Sequence, residues 1–166
     1  MDKIVFITGA SSGIGAGCAR KFASQGASLI LNARNVNKLS ALKEELEKQY
    51  GAKIYLLPFD VRDRKAATSA LESLPKEWQS IDILVNNAGL VIGTDKEQEG
   101  SLDEWDIVID TNIKALLAMT RLIVPGMVER KRGHIINIGS IAGDAAYPGG
   151  SVYCATTVSY THLRAH

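Results

Sequence analysis

Short apolar runs alternate along this chain with longer stretches in which apolar residues recur every three or four positions. Ile4-Val5-Phe6-Ile7 is too short for a helix and too continuous for a half-exposed strand, so it predicts a parallel strand buried on both faces. Ser28-Leu29-Ile30-Leu31, Lys53-Ile54-Tyr55-Leu56-Leu57, Ile81-Asp82-Ile83-Leu84-Val85 and His134-Ile135-Ile136-Asn137-Ile138-Gly139-Ser140 predict further strands. Between them, Ile14, Cys18 and Phe22 at spacing four mark the buried stripe of a helix ending near Gly26. Val36, Leu39, Leu42, Leu46 and Tyr50 mark a second helix, started by Asn35 and stopped at Gly51. Asp63 is a cap candidate for a third, which runs to about Leu74 before Pro75 breaks it. Ser101-Leu102-Asp103-Glu104 has capping-box form and opens a long helix, 101–132, carrying Trp105, Val108, Ile109, Ile113, Leu116, Leu117, Leu122 and Ile123. That apolar set is wider than one stripe, which predicts packing on a partner as well as on the sheet. Arg130, Lys131 and Arg132 close the helix as cations at the negative end of its dipole. Strand and helix in this alternation give an α/β fold with a doubly wound parallel sheet.

The chemistry sits where strands end. After the first comes Thr8-Gly9-Ala10-Ser11-Ser12-Gly13-Ile14-Gly15, a strand–turn–helix junction with glycines at 9, 13 and 15. Glycine lets such a turn bend tightly and lets a diphosphate approach the backbone, while the helix offers unpaired N–H groups and its positive end. Ser11 and Ser12 add hydroxyl donors. The second strand ends at Asn32-Ala33-Arg34-Asn35, where a dinucleotide-binding fold meets the adenosine ribose. No acidic residue stands there for the 2′-hydroxyl of NAD, and the guanidinium of Arg34 suits the 2′-phosphate of NADP. The plainer alternative is a solvated surface arginine. Asp60 and Val61 follow the third strand, where a polar group meets an adenine edge or caps a helix. Asn87, Ala88 and Gly89 end the fourth, lining the crevice in which open α/β sheets bind ligands.

Composition removes several classes. The chain has 166 residues, 46% hydrophobic and 22% charged, as expected of one ordinary globular domain. A formal charge of +1 gives no reason to expect a nucleic acid or an acidic membrane as partner. No run reaches membrane-spanning length, and Met1-Asp2-Lys3 leads into a strand rather than a signal peptide. Cys18 and Cys154 suggest neither disulfides nor zinc, so the expected compartment is the reducing cytoplasm.

From Met1 to Thr156 the chain resembles the short-chain dehydrogenase/reductase family, through TGASSGIG, NNAG, Asn112, Ser140 and Tyr153 in family order. The runs LPKEWQSIDILVNNAGL and PGMVERKRGHIINIGSIAG look most like its NADP-dependent 3-hydroxy acid dehydrogenases, which oxidise serine, allo-threonine and related acids. The resemblance implies a Rossmann-type fold with strands one to five present and the last strands missing. It implies NADP as cofactor, a small-molecule substrate, and homo-oligomers built on the long helix and the one after the tyrosine. It implies cofactor contacts from Gly9, Ser11, Ser12, Gly13, Ile14, Gly15, Arg34, Asp60, Val61, Asn87, Ala88, Gly89 and Tyr153. Ser140 is implied to donate to the substrate oxygen, Tyr153 to pass the proton, and Asn112 to hold a water in a proton relay.

The family's Tyr-x-x-x-Lys ends here in Thr157. A cation about 4 Å from a phenolate is worth about 4 kcal/mol, roughly a thousandfold in phenolate population. Its loss predicts a nearly inactive chain. Residues 157–166 resemble nothing in the family, so the expectation is a domain over 1–156 with a non-native tail on a C-terminally truncated copy. The helix after the tyrosine is then lost, assembly is left open, and the fifth strand is an unprotected edge. His162 and His166 lack a third metal ligand, so no metal is expected. The alternatives to an impaired oxidoreductase are a non-catalytic dinucleotide-binding module and a non-functional fragment.

Overall fold

The computed structural model describes residues 2–93, 95–161 and 163. Five parallel strands form one sheet in the order β3-β2-β1-β4-β5: β1 (Ile4–Ile7), β2 (Ser28–Leu31), β3 (Ile54–Leu56), β4 (Ile81–Asn86) and β5 (His134–Asn137). β1 lies in the middle, with Ile7 level with Leu31 on one side and Val85 on the other. Side chains alternate between faces along a strand. Val5 and Ile7 enter one core with Leu29, Leu31 and Val85, under the helices α1 (Gly13–Ser24) and α2 (Val36–Tyr50). Phe6, Ile30 and Leu84 enter a second core, under α3 (Arg64–Glu72) and the helix that precedes β5. Coverage on both faces is why these strands are apolar without interruption. It is the doubly wound Rossmann-type arrangement that the sequence predicts.

The caps fall where the sequence places them. Asn35 accepts from the Lys38 N–H and Asp63 from the Ala66 N–H. Gly51 ends α2 in the left-handed conformation at φ +63°. The stripe on α1 is different. Ile14 is exposed, Cys18 and Phe22 are only half-buried, and the buried face is Gly15, Ala16, Ala19 and Ala23. Small residues face inward where α1 packs against β1, β2 and α2, and Gly15 meets the turn that feeds the helix. On α2, Leu39, Leu42 and Leu46 are buried, but the terminal Val36 and Tyr50 are not.

The long helix runs from Leu102 to Glu129 with a change of pitch inside it. α4 (Leu102–Ile109) passes through a widened π turn, Asp110–Ala115, into α5 (Leu116–Glu129). Within the π turn Thr111 donates back to the Ile107 carbonyl at 2.8 Å. Lys131 adopts φ +52° and ends the helix, so the cations beyond Glu129 lie outside it. Arg130 donates to the Ile81 carbonyl at 2.7 Å, and Arg132 Nε stands 2.7 Å from the buried Asp82 carboxylate, which also receives the Ile4 N–H. Two of the three cations therefore tie the helix end to the foot of β4 instead of merely complementing a dipole.

Past β5, the helix expected to be lost is present as α6 (Ser151–Val158), followed by a 3₁₀ turn over Ser159–Thr161. Cys154, Thr156 and Thr157 form its buried face, so the helix runs through the expected boundary at residue 156 without a break. His162 and His166 lie outside the described residues. β5 pairs with β4 and with no other described strand.

Candidate functional site

The C-terminal ends of the strands open into a cavity of about 1030 Å³. Its first wall is the glycine turn. Gly9 takes φ +64° and Gly13 φ +54°, conformations that an L side chain rarely adopts. A Cβ on Gly9 would stand 2.9 Å from the Ala88 Cα, whereas one on Gly13 would meet nothing. The first glycine thus allows β4 to approach, and the second leaves space for a ligand. Gly15 is a correction to the expected contacts: it is buried and does not line the cavity. A side chain there would collide with the Gly9 carbonyl and the Asn87 amide, so this glycine serves helix–turn packing. Ser12 is the N-cap of α1, yet its side chain makes no cap hydrogen bond. Ser11, Ser12, Gly13 and Ile14 all face the opening, so the helix presents uncapped N–H groups there.

The turn is held from below by residues remote in sequence. Thr8 Oγ1 donates to the Val85 carbonyl at 3.3 Å and accepts from the Asn87 and Ala88 N–H groups at 3.0 Å each. The Asn87 amide donates to the carbonyls of Thr8 and Gly9 at 2.9 and 3.1 Å. Asn87 lines the cavity with Ala88 and Gly89, but its side-chain amide braces the turn rather than waiting for a ligand.

In the loop after β2, Arg34 is largely exposed and lines the cavity with Asp60 and Val61. The Asp60 carboxylate is already engaged. Arg62 reaches it from Nη2 at 2.7 Å and Nε at 3.1 Å, and the Arg62 backbone N–H adds a bond at 3.0 Å. Those contacts hold the Asp60 carboxyl below its ordinary value and the Arg62 guanidinium above its own. Arg34 Nη1 stops 4.0 Å from Asp60 Oδ2. Sequence reasoning missed Arg62 and Lys38, which make this corner a cluster of cations. Two cations within a few residues of Arg34 and Asp60 were the available signal.

The far wall is β4, the π turn and α6. Asn112 is buried, accepts from the Leu90 N–H at 2.9 Å, and donates to the Leu90 carbonyl and to Thr156 Oγ1 at 2.9 and 3.0 Å. Its side chain joins the β4 loop to α6, which corrects the picture of an amide held ready for a water. Tyr153 lines the cavity, with Thr157 one turn on and Tyr160 beyond it. Thr157 is buried and donates to the Cys154 carbonyl at 3.0 Å. Burial, followed by the charge of Tyr153, pushes the Tyr160 phenol up to about 12. Ser140 is not among the lining residues. It caps the 3₁₀ turn Ile141–Gly143, its Oγ accepting from the Ala142 N–H at 3.2 Å.

The sequence profile of the short chain dehydrogenase family matches residues 3–165. The chain belongs to that family. It is 50% identical over 153 residues to the NADP-dependent 3-hydroxy acid dehydrogenase YdfG of Escherichia coli, covering 92% of this chain and 60% of that protein. It superposes on the crystal structure of serine dehydrogenase from Escherichia coli with a TM-score of 0.89 at 48% identity, covering 95% of this chain and 71% of the other. The closed form of serine dehydrogenase complexed with NADP+ gives a TM-score of 0.87 at 47% identity, covering 95% and 62%. The chain therefore spans about 60% of the length of the curated relatives it matches. No described helix is long and apolar enough to cross a membrane, and no described group of side chains could hold a metal ion.

Proposed function

We propose that this chain carries the cofactor-binding part of an NADP-dependent oxidoreductase acting on a 3-hydroxy acid or related hydroxy or keto compound. One observation supports this above all: a single cavity runs from the uncapped α1 and its glycine turn, past the cationic corner at Arg34, to Tyr153. The lining suits a dinucleotide. Asn32 and Asn86 each bring a buried amide oxygen with no hydrogen-bond partner among the described residues, and both line the cavity. Gly13 leaves open space where a diphosphate would lie against the helix N-terminus. The relatives' names and the NADP+ complex point the same way.

The residues have separable tasks. Ser11, Ser12, Gly13 and Ile14 would hold the diphosphate, and Arg34 the 2′-phosphate through charge-assisted hydrogen bonds. Asp60, Val61, Ala88 and Gly89 would shape the adenosine side. NADP supplies the hydride acceptor when bound. Tyr153 would hold and pass the proton at its phenolic oxygen. Ser140 accepts from the Ala142 N–H, which leaves its own O–H to donate to a substrate oxygen. Asn112 keeps α6, and Tyr153 with it, in register with the loop after β4.

A second reading has its own observation. Thr157 stands where the family has lysine, and its hydroxyl is engaged with its own helix. That favours a dinucleotide-binding module without turnover. Titration with NADPH and NADH, paired with serine oxidation followed at 340 nm, separates the readings. Tighter NADPH binding with measurable serine-dependent reduction of NADP+ supports the oxidoreductase. Tighter NADPH binding without turnover supports the module, and equal affinities refute the role of Arg34.

A further inference from the structure

The cationic corner contains a carboxylate in the wrong place for an anion. Asp60 lines the same cavity wall as Arg34 and Lys38, and a dianionic phosphate bound by Arg34 would feel its charge. Nothing in the strand pattern demands an acid there. Yet the carboxylate is not free, and Arg62 holds it more closely than Arg34 does. Arg62 closes on it with Nη2 at 2.7 Å from Oδ2 and Nε at 3.1 and 3.2 Å from the two oxygens, while its backbone N–H takes Oδ1 at 3.0 Å. Arg34 is left at 4.0 Å, beyond hydrogen-bond distance, with a side chain 68% exposed. The other carboxylate acting on Arg62, Asp110, is itself paired with Lys114 at 2.7 Å. Arg62 is therefore committed to Asp60 and not divided between two acids.

We infer that Arg62 is a positioning residue for cofactor choice: by masking Asp60 it keeps Arg34 available and the corner attractive to a 2′-phosphate. The inference rests on the reading of Arg34 given above. Without Arg62, Asp60 does two things at once. It repels the phosphate, and it draws the Arg34 guanidinium from a 4.0 Å ion pair into direct hydrogen-bonded contact. Both penalties fall on the ligand with a 2′-phosphate and neither on the ligand with a 2′-hydroxyl. A second carboxylate effect, a contact to adenine, would be common to both ligands and cancels in their ratio.

The test is calorimetric titration of the full chain with NADPH and with NADH, at one low ionic strength, for the wild type and variants. Arg62→Met is expected to lower the NADPH-to-NADH affinity ratio about tenfold, the scale of one unmasked charge a few ångströms away. Arg62→Met with Asp60→Asn is expected to return the ratio to the wild-type value, because no charge remains to mask. Equal weakening of both ligands in Arg62→Met would mean a structural role only and overturns the inference. A double variant as poor as the single would mean that Arg62 touches the phosphate itself, which overturns it too. Arg34→Ala provides the separate control. If the wild type shows a ratio near one, and Arg34→Ala does not change it, the 2′-phosphate reading fails. If Arg34→Ala abolishes the preference and Arg62→Met leaves it intact, only the masking role fails. Melting curves with and without NADH verify that each variant is folded.

Discussion

Thr157 is the position at which the two readings of the function part. It lies one helical turn after Tyr153, is buried, and borders the cavity. Tyr153 borders the same cavity, and the resemblance to the family implies that a lysine at this position sits beside the phenol. Thr157→Lys is therefore expected to raise NADP-linked serine turnover, by up to roughly a thousandfold if the full charge effect is realised. A turnover unchanged from wild type, in a variant that still binds NADPH, would refute that account. The residue scale is also where the sequence was least complete. Gly9, Arg34 and Tyr153 were legible because backbone freedom, charge and motif order leave a mark on the residue itself. Gly15, Asn87 and Asn112 were placed at the site but not in their tasks, since whether an amide meets a ligand or a backbone carbonyl depends on partners up to 79 positions away. Arg62 was missed because its meaning comes from the Asp60 carboxylate it covers.

Among the elements, the strands were read almost without error. A strand covered on both faces must be apolar throughout, and that signal survives in four residues. Helices gave up less. α1 buries its alanines deepest, with Cys18 and Phe22 packed at the margin of the same core, so of the expected stripe only Ile14 points to solvent. The π turn between α4 and α5 has no breaker residue to announce it, and within it Thr111 and Asn112 bond to Ile107, Leu90 and Thr156. Asn112 is the joint at which the β4 loop, the π turn and α6 meet. Asn112→Ala would strand the Leu90 N–H and carbonyl, while the Thr156 hydroxyl keeps its bond to the Tyr153 carbonyl, at about 2–4 kcal/mol, or roughly a 5–10 °C fall in melting temperature. A fall of a degree or less would show that water replaces the amide freely.

At the scale of the molecule, two packed cores on opposite faces of one sheet account for a single folded unit over the described residues, and α6 belongs to it. The phenol of Tyr160, just beyond α6, reports on that packing. Its value is raised to about 12 by burial and then by the charge of Tyr153, against an unfolded value of about 10. A phenol raised on folding contributes stability that is fully present below the unfolded value and is lost as pH climbs toward the folded one. Melting temperature is thus expected to drop between pH 10 and 12, and Tyr160→Phe to flatten part of that drop. Identical alkaline profiles for the two proteins would show that the 3₁₀ turn does not keep Tyr160 packed in solution.

The brace beneath the glycine turn has a consequence for how the protein is made. Thr8 and Gly9 leave the ribosome early, but the hydrogen bonds that shape their turn come from Asn87 and Ala88, 78 to 80 residues later. Loops that long close slowly, because chain entropy is lost before any contact compensates it. The nascent chain therefore carries a glycine-rich segment with no fixed form until β4 has been synthesised and inserted beside β1. A chain halted before residue 87 has every glycine of the motif and lacks the two residues that brace it.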